Sequence, residues 1–379
     1  AAGLERAGYE VSLLDCFAWP MTPAQVVRAA LERKPDLVGF TATTSSFLGA
    51  YALAGAIKEA LPAVKILFGG VHATSLWTDL LGGFPAIDFI AVGEGEATAL
   101  ELLEAGLEPG AGIPGLAWRE RSGEVRFGGE RPLLQDMDEL PLPAYHRLEA
   151  FPGAYPLPLF NYPRSPATTL ITSRGCPYAC SYCDRSVFRS TFRFHSAEYL
   201  ADHLAFLKSR YGIRHVSIYD DNFTLNRQRV LDLTEMMARR RLKISFNCIG
   251  RANHLDRELL QAMKRAGCWM INLGVESGDQ DLIALHRSHS DLDQMAQVVR
   301  DVRGEGIRAK GLFMMGIPGE TEGSLGRTVR YATEQPFDDV NCTKFTPFPG
   351  SPGYGAVREA GEFDETWALM PGLHFGFVP

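Results

Sequence analysis

Three closely spaced cysteines are the feature of this sequence that points most directly to chemistry. Cys176, Cys180 and Cys183 lie four and then three positions apart in the segment RGCPYACSYC. Thiolates bind zinc or iron–sulfur clusters, and a structural zinc site needs a fourth ligand, for which His195 is the nearest histidine. Three thiolates can instead hold three irons of a cubane cluster and leave one iron open to an outside ligand. The spacing therefore favours an iron–sulfur cluster, with zinc as the alternative.

The composition limits the classes of protein to which the chain can belong. It has 379 residues, of which 46% are hydrophobic, enough for two domain cores. The net charge of −7 argues against general nucleic-acid affinity, and seven cysteines make a poor disulfide framework. No apolar run is long enough to cross a bilayer and no signal peptide is visible. We expect a cytoplasmic protein without a transmembrane segment, truncated at both ends.

The first part of the chain alternates between strand and helix patterns, which predicts an open parallel sheet covered on both faces. Ligands bind such sheets beyond the carboxyl ends of the strands. There the sequence places the loops DCFAWP, TATTSSF, GGVHAT and GEGEAT. Each is compatible with an ordinary turn, but four at one edge indicate a ligand crevice. The predicted strands are 9–15, 35–42, 65–70 and 87–93, and the predicted helices are 22–34 and 47–61.

The alternation resumes after a predicted hairpin, RSGEVRFGGERP, and a proline-rich connection. Six strand–helix units in order predict a barrel, closed or open, with its functional residues at the carboxyl ends of the strands. The cysteine loop follows the first of these strands. The predicted strands are 167–173, 215–220, 243–249, 269–275, 309–315 and 340–346, and the helices are 197–210, 226–240, 256–266, 292–304 and 322–334.

The cysteine spacing, with the aromatic Tyr182 just before the third cysteine, resembles the radical S-adenosylmethionine (SAM) superfamily. The resemblance implies that Cys176, Cys180 and Cys183 are catalytic and bind a [4Fe-4S] cluster whose open iron chelates SAM. Other segments resemble SAM-binding motifs, although a helix cap, a surface ion pair or a Pro-Gly turn would explain each one separately. The implied SAM-binding residues are Tyr182 near the adenine, Asp220, Asp221 and Asn222 at the amino group, Arg251 at the carboxylate, Glu276 and Ser277 at the ribose or carboxylate, and Met315, Gly316 and Pro318 at the adenine.

The predicted N-terminal sheet resembles the cobalamin-binding domain that precedes the barrel in one large subclass. Such domains often ligate cobalt through Asp-x-His-x-x-Gly, but this chain has DCFAWP and no histidine there. The lower cobalt face is therefore predicted not to be coordinated by that loop, and His72 is expected to hydrogen-bond the cofactor's tail or a carbonyl. The implied cobalamin-binding residues are Asp15, Cys16, Phe17, Thr43, Ser45, Ser46, Gly69, Gly70, Val71, His72, Gly93, Glu94 and Gly95.

The predicted fold class is α/β, a Rossmann-like open parallel sheet followed by a partial (βα)6 TIM-type barrel. The predicted domains are a cobalamin-binding domain at 1–118, a hairpin and proline-rich linker at 119–165, the radical SAM barrel at 166–360 and the start of a C-terminal region at 361–379.

The resemblance implies reductive cleavage of SAM to a 5′-deoxyadenosyl radical and methylation, through methylcobalamin, of an unactivated carbon in a small molecule, lipid or natural product. An electron donor such as flavodoxin or ferredoxin is implied. An oxidative cyclase or ring-rearranging enzyme is the alternative, and a non-catalytic corrinoid- or zinc-binding module is the second. Cys248, Cys268 and Cys342 are predicted core residues, although a Cys342 that faced the cavity could donate a hydrogen atom.

Overall fold

The structure, a computed structural model, describes residues 1–16, 18–109, 112–158 and 161–360. Phe17 and the predicted C-terminal region at 361–379 lie outside these ranges. The described residues form two compact units: the first comprises residues from 1–134, 182–189 and 346–360, and the second comprises residues from 135–181 and 190–345. Within the described ranges, no helix combines the length and the apolarity that crossing a membrane requires.

The first unit is built on a five-stranded sheet in the order β1-β2-β3-β4-β5. β1, β2 and β3 are parallel, and the hairpin of β4 and β5 extends the sheet in antiparallel fashion. The predicted hairpin therefore belongs to this sheet. The strands are β1 (Leu37–Thr41), β2 (Lys65–Gly69), β3 (Phe89–Ala91), β4 (Leu116–Arg119) and β5 (Val125–Phe127), and the helices are α1 (Ala2–Arg6), α2 (Pro23–Arg33), α3 (Phe47–Ala60), α4 (Val71–Ser75), α5 (Trp77–Gly83) and α6 (Gly95–Glu104).

The sheet of the first unit is buried on both faces, as its hydrophobic runs predict. Ile66 and Phe68 pack in one hydrophobic cluster, whereas Leu67 between them packs in another. Successive side chains of a strand point to opposite faces, so the two clusters lie on opposite sides of β2. Thr22 caps α2 through a reciprocal hydrogen-bond pair with Gln25.

The second unit contains six parallel strands in the order β13-β12-β11-β10-β9-β6, an open, curled half-barrel. The predicted strand and helix order is confirmed. The strands are β6 (Ala167–Leu170), a β7 (Ser173–Arg174) and β8 (Arg193–Phe194) ribbon, β9 (His215–Ile218), β10 (Ser245–Gly250), β11 (Cys268–Glu276), β12 (Arg308–Met315) and β13 (Asp339–Lys344), and the helices are α7 (Ala197–Tyr211), α8 (Arg227–Arg239), α9 (Arg257–Ala266), α10 (Gln280–His286), α11 (Leu292–Gly304) and α12 (Glu322–Glu334), while α13 (Pro352–Ala360) belongs to the first unit.

The prediction of a strand at 9–15 is wrong. This segment forms no strand, and Leu13 and Leu14 are 42% and 39% exposed. β1 is the edge strand of the described sheet. If residues 9–15 paired with it, they would gain one set of backbone hydrogen bonds but would bury little apolar surface. Because strand formation depends on burial as much as on residue type, the β-like composition of the segment is insufficient.

Candidate active site and cofactor-binding loops

The cysteine loop follows β6, and two of its thiols, those of Cys176 and Cys180, lie next to hydrogen-bond donors. Cys176 is half-buried and accepts a bond from the backbone N–H of Tyr178. Cys180 is buried, and its Sγ lies 3.8 Å from Nη1 of Arg251. Hydrogen bonds to sulfur are typical of cysteines that hold iron–sulfur clusters. The chemistry of these donors fits such a cluster.

The described residues contain no group of three His, Cys, Asp or Glu side chains arranged to hold a metal ion, so the structure does not itself assemble the three thiolates. Cys183 is exposed and lies in the segment of the loop that belongs to the first unit. Burial, reinforced by Asp221 and Cys180, raises the pKa of the Cys176 thiol, so metal binding there must displace a proton.

The zinc alternative loses support because His195 is engaged elsewhere. Its Nδ1 lies 3.2 Å from a carboxylate oxygen of Asp138, and its ring stacks on Tyr199 with centroids 4.0 Å apart. Burial lowers the pKa of His195, and the hydrogen bond to Asp138 opposes this shift. His195 therefore has a structural role at the start of α7.

Asp220, expected at the SAM amino group, instead holds the start of the cysteine loop. Its carboxylate accepts hydrogen bonds from the backbone N–H groups of Thr172 and Ser173, at 2.6 and 3.0 Å. Its other oxygen lies 3.5 Å from Nη2 of the buried Arg229. Only 1% of Asp220 is exposed, and both of its oxygens already have partners within the fold. The structure thus places Asp220 behind the loop.

The next two residues remain candidates for SAM binding. Asp221 is exposed and accepts a bond from the backbone N–H of Gly175. Desolvation and the charge of Asp220 raise the pKa of Asp221. Asn222 is fully buried, and its Nδ2 has no hydrogen-bond partner, so this donor is available for an acceptor.

The two residues at the end of β11 differ in what they offer. Glu276 has a left-handed backbone (φ 67°), and its carboxylate lies 3.5 Å from Nη1 of Arg287. Ser277 is fully buried, exchanges a hydrogen bond with Thr328 at 3.0 Å, and accepts one from Asp279 N–H. Because the buried Ser277 hydroxyl is already engaged by Thr328 and by the Asp279 N–H, the structure does not support its expected contact with SAM. Arg251, Arg287 and the loop before α11 line a small pocket.

The predicted adenine-binding segment follows β12. Met315 is 39% exposed, and Gly316 adopts φ 78° while its N–H donates to Glu320 at 2.6 Å. The carbonyl of Pro318 accepts a hydrogen bond of 2.7 Å from Nε2 of His286. A carbonyl can only accept, so Nε2 carries the proton.

His286 is a residue of the site that the sequence did not reveal. Besides its bond to Pro318, its Nδ1 lies 2.7 Å from the hydroxyl of Ser181, and its carbonyl accepts from Ser181 N–H at 3.0 Å. The other ring nitrogen, Nδ1, is thus paired with the hydroxyl of Ser181. One imidazole therefore joins the cysteine loop to the predicted adenine segment. No spacing motif marks this histidine, and it ends a short helix that the sequence pattern did not predict.

The loops of the first unit that were predicted to bind cobalamin contain close backbone approaches and exposed hydroxyls. Gly70 has φ 93°, and a Cβ there would lie 2.9 Å from Thr41 Oγ1. The Thr43 hydroxyl lies 3.1 Å from the hydroxyls of both Ser45 and Ser46 in an exposed cluster. Gly69 ends β2 and Val71 begins α4. The close approach at Gly70 packs two loops of the fold together, and the exposed hydroxyls are the groups here that suit the polar tail of a large cofactor.

His72 is buried within the first unit, and its partner there is a side-chain hydroxyl. It is 1% exposed, its Nδ1 lies 3.1 Å from Thr44 Oγ1, and its ring contacts Phe47. Burial lowers the pKa of His72 to about 4. Asp15 closes a turn by accepting from Ala18 N–H at 3.0 Å, beside the exposed Cys16.

The loop after β3 serves mainly to hold the fold. Gly93 has φ 83° and its N–H donates to Thr74 at 3.1 Å. The buried carboxylate of Glu94 accepts from Leu134 N–H at 3.0 Å, so this predicted cobalamin ligand organises the unit's own backbone. Gly95 begins α6.

Comparisons with known proteins identify the class of both units. The model of the B12 binding domain matches residues 1–103, and that of the Radical SAM superfamily matches residues 170–332. An uncharacterized methyltransferase of Pyrococcus horikoshii is 32% identical over 354 residues, which cover 92% of this chain and 75% of that protein. The chain therefore belongs to the radical SAM family that contains a cobalamin-binding domain.

More distant relatives extend the comparison. An anaerobic magnesium-protoporphyrin IX monomethyl ester cyclase of Rubrivivax gelatinosus is 26% identical over 93% of this chain, which spans 64% of that relative, less than two thirds of its length. The structure of the cobalamin-dependent SAM radical enzyme OxsB, with aqua-cobalamin and SAM bound, matches with a TM-score of 0.78 at 19% identity, over 93% of this chain and 56% of OxsB. This match shows the fold. The chain is a radical SAM enzyme whose cofactors are a [4Fe-4S] cluster, SAM and cobalamin.

Proposed function

We propose that this enzyme methylates an unactivated carbon of a small molecule, lipid or natural product. When bound, the cofactors supply a 5′-deoxyadenosyl radical and a cobalt-borne methyl group. The observation that carries the proposal is the first unit's loop DCFAWP, which offers no imidazole to cobalt, together with the burial of His72. A loop that offers no ligand to cobalt would fit a cobalamin that supplies methyl-transfer chemistry when bound. The Pyrococcus horikoshii relative is also called a methyltransferase.

The chain's own residues have distinct roles in this proposal. Cys176, Cys180 and Cys183 bind the cluster, and Asp221 accepts from the SAM ammonium group. Asn222 donates to SAM through Nδ2, Glu276 and Met315 contact the ribose and the adenine, and Tyr182 lies beside the adenine.

Apolar side chains at the carboxyl ends of the barrel strands suit radical chemistry. Ile171 follows β6 and is 62% exposed, and Tyr219 follows β9 and is 45% exposed. Met315, the last residue of β12, is 39% exposed. A primary radical requires surroundings without water or quenching groups. We propose that cofactor and substrate cover these side chains. An electron donor such as flavodoxin or ferredoxin, and a cytoplasmic location, complete the proposal.

The test uses anaerobically reconstituted protein with SAM, cobalamin and a low-potential reductant. We expect iron and sulfide in the protein, with 5′-deoxyadenosine and S-adenosylhomocysteine as products. Cys180→Ala should abolish 5′-deoxyadenosine while cobalamin retention is unchanged. The matched control is Cys268→Ala, a buried cysteine at the start of β11, which should still cleave SAM.

Two other results would redirect the assignment. Zinc without iron or sulfide would indicate a metal-binding module rather than an enzyme. 5′-Deoxyadenosine without S-adenosylhomocysteine or methylated cobalamin would favour the oxidative cyclase, the candidate that the 26% identical cyclase supports.

A further inference from the structure

Arg251 follows the last residue of β10 and is held directly against a cluster-binding cysteine. Its Nη1 lies 3.8 Å from Cys180 Sγ, and its Nη2 donates to the carbonyl of Ser288. The guanidinium carbon lies 3.8 Å from the centroid of the Tyr178 ring. Arg251 is only 6% exposed. The guanidinium is therefore fixed on three sides, by a sulfur, a carbonyl and an aromatic face.

The aromatic ring beneath this guanidinium is itself fixed. The Tyr178 hydroxyl lies 2.6 Å from His254 Nε2 and accepts a bond of 3.3 Å from Asn253 Nδ2. Asn253 and His254 follow Arg251 in the same short turn. One segment of chain thus holds both the residue that donates to Cys180 and the ring that supports it.

A buried guanidinium requires an anionic partner. Within the described ranges Arg251 forms no ion pair with a carboxylate, whereas the neighbouring Arg287 lies 3.5 Å from Glu276 and donates to the carbonyl of Gly274. The Cys180 sulfur, which is a thiolate once it binds iron, is the anion that the structure offers to Arg251. Arg251, which was expected at the SAM carboxylate, is therefore directed toward Cys180, an expected ligand of the cluster.

We propose that Arg251 raises the reduction potential of the cluster through its charge and its N–H···S bond to Cys180. Reduction adds a negative charge to the cluster and its thiolates, and a nearby cation with a hydrogen bond to sulfur stabilises the reduced state more than the oxidised state. The inference rests on the proposed cluster, and it concerns the acceptance of an electron before any chemistry on substrate.

The experiment is a redox titration of the reconstituted full chain, loaded with cobalamin and without SAM, in which electron paramagnetic resonance reports the reduced cluster. In Arg251→Gln we expect the equilibrium constant for reduction to fall roughly tenfold, a potential lower by about 59 mV for a one-electron couple. Arg251→Lys keeps the charge but not the planar fork, so its potential should lie between the two.

The matched control is Arg308→Gln. Arg308 also lies over an aromatic ring, with its guanidinium carbon 5.3 Å from the centroid of Trp269, but it sits at the first residue of β12, at the opposite end of the strands. Its loss should leave the potential unchanged. Iron and sulfide contents equal to those of the unmodified protein establish that the variants carry intact clusters.

An unchanged potential in a fully loaded Arg251→Gln protein would overturn the inference, and a weaker SAM affinity in the same variant would assign Arg251 to the SAM carboxylate. If Arg251→Gln fails to load iron, an unchanged potential in Arg251→Lys overturns the inference equally. The titration needs no methyl transfer, so a lowered potential in a protein that methylates nothing would uphold the role of Arg251 while refuting the proposed function. Unmodified protein that assembles no cluster would refute both.

Discussion

Adjacent carboxylates at the end of β9 have different surroundings. Asp220 is buried among two backbone N–H donors and Arg229, whereas Asp221 is exposed and accepts from Gly175. Nothing in the letters YDDNFT separates them. The difference lies in their neighbours, which for Asp220 are the N–H groups at the start of the cysteine loop and the buried Arg229 of α8. One carboxylate shapes the cysteine loop, and the other is available to a ligand.

Asp220→Asn should destabilise the protein. The amide cannot neutralise the buried guanidinium of Arg229, and its NH2 group would face donors instead of accepting from them. Loss of one partner of a buried ion pair costs about 3–5 kcal/mol. Urea unfolding followed by circular dichroism measures this change.

The control for this experiment is the neighbouring substitution. Asp221→Asn should leave the urea midpoint almost unchanged but weaken SAM binding to the reconstituted protein. Equal midpoints for Asp220→Asn and the unmodified protein would contradict the structural role of Asp220.

The site was predictable from sequence where the chemistry depends on spacing, and not where it depends on burial. The cysteine spacing and the order of the loops after the strands required only the pattern of the chain. Ser277 and Glu94 were expected at ligands because they follow strands, yet their side chains are buried and bond to other parts of their own unit. Which face of a turn becomes buried depends on neighbours far away in sequence, such as Thr328 and Leu134.

At the scale of elements, periodicity was reliable for long segments and failed for short ones. α11 and α12 extend over the predicted residues 292–304 and 322–334. The seven-residue helix α10 went unpredicted because two turns contain too few apolar positions to show a period. Yet α10 ends at His286, so a short helix positions the residue that joins two loops of the site.

His286→Ala should weaken SAM binding about tenfold without lowering the iron content. The substitution removes the bonds to Pro318 and Ser181, each of which contributes on the order of 1 kcal/mol, and frees the predicted adenine segment from the cysteine loop. Calorimetric titration of SAM into reconstituted protein measures the affinity.

The matched control for His286 lies one residue earlier in α10. Leu285 is 75% exposed, so Leu285→Ala should bind SAM normally. If His286→Ala binds SAM as the unmodified protein does, the histidine does not position the adenine segment. If its iron content also falls, the residue supports the cluster loop more than it supports SAM.

At the scale of the whole molecule, both units bury histidines that must stay neutral. Burial lowers the pKa of His72 in the first unit, and of His203 and His215 in the second, to about 4. His203 also contacts the hydroxyl of Tyr145 at 3.0 Å, and His215 lies 2.9 Å from Ser245 Oγ. Each unit therefore has a group whose protonation opposes folding.

The sign of the pH dependence follows from proton uptake. An unfolded histidine has a pKa near 6.5, so between about pH 6.5 and 4 the unfolded chain binds more protons than the folded chain. Stability is therefore lost as the pH falls through this window, by up to about 1.4 kcal/mol per pH unit for each histidine. Urea midpoints measured at intervals from pH 7 to pH 4.5 should fall. In His203→Gln the midpoint for the second unit should fall less steeply with pH, because glutamine keeps a partner for Tyr145 but does not titrate. A His203→Gln slope equal to that of the unmodified protein would show that His203 is not a source of the acid sensitivity.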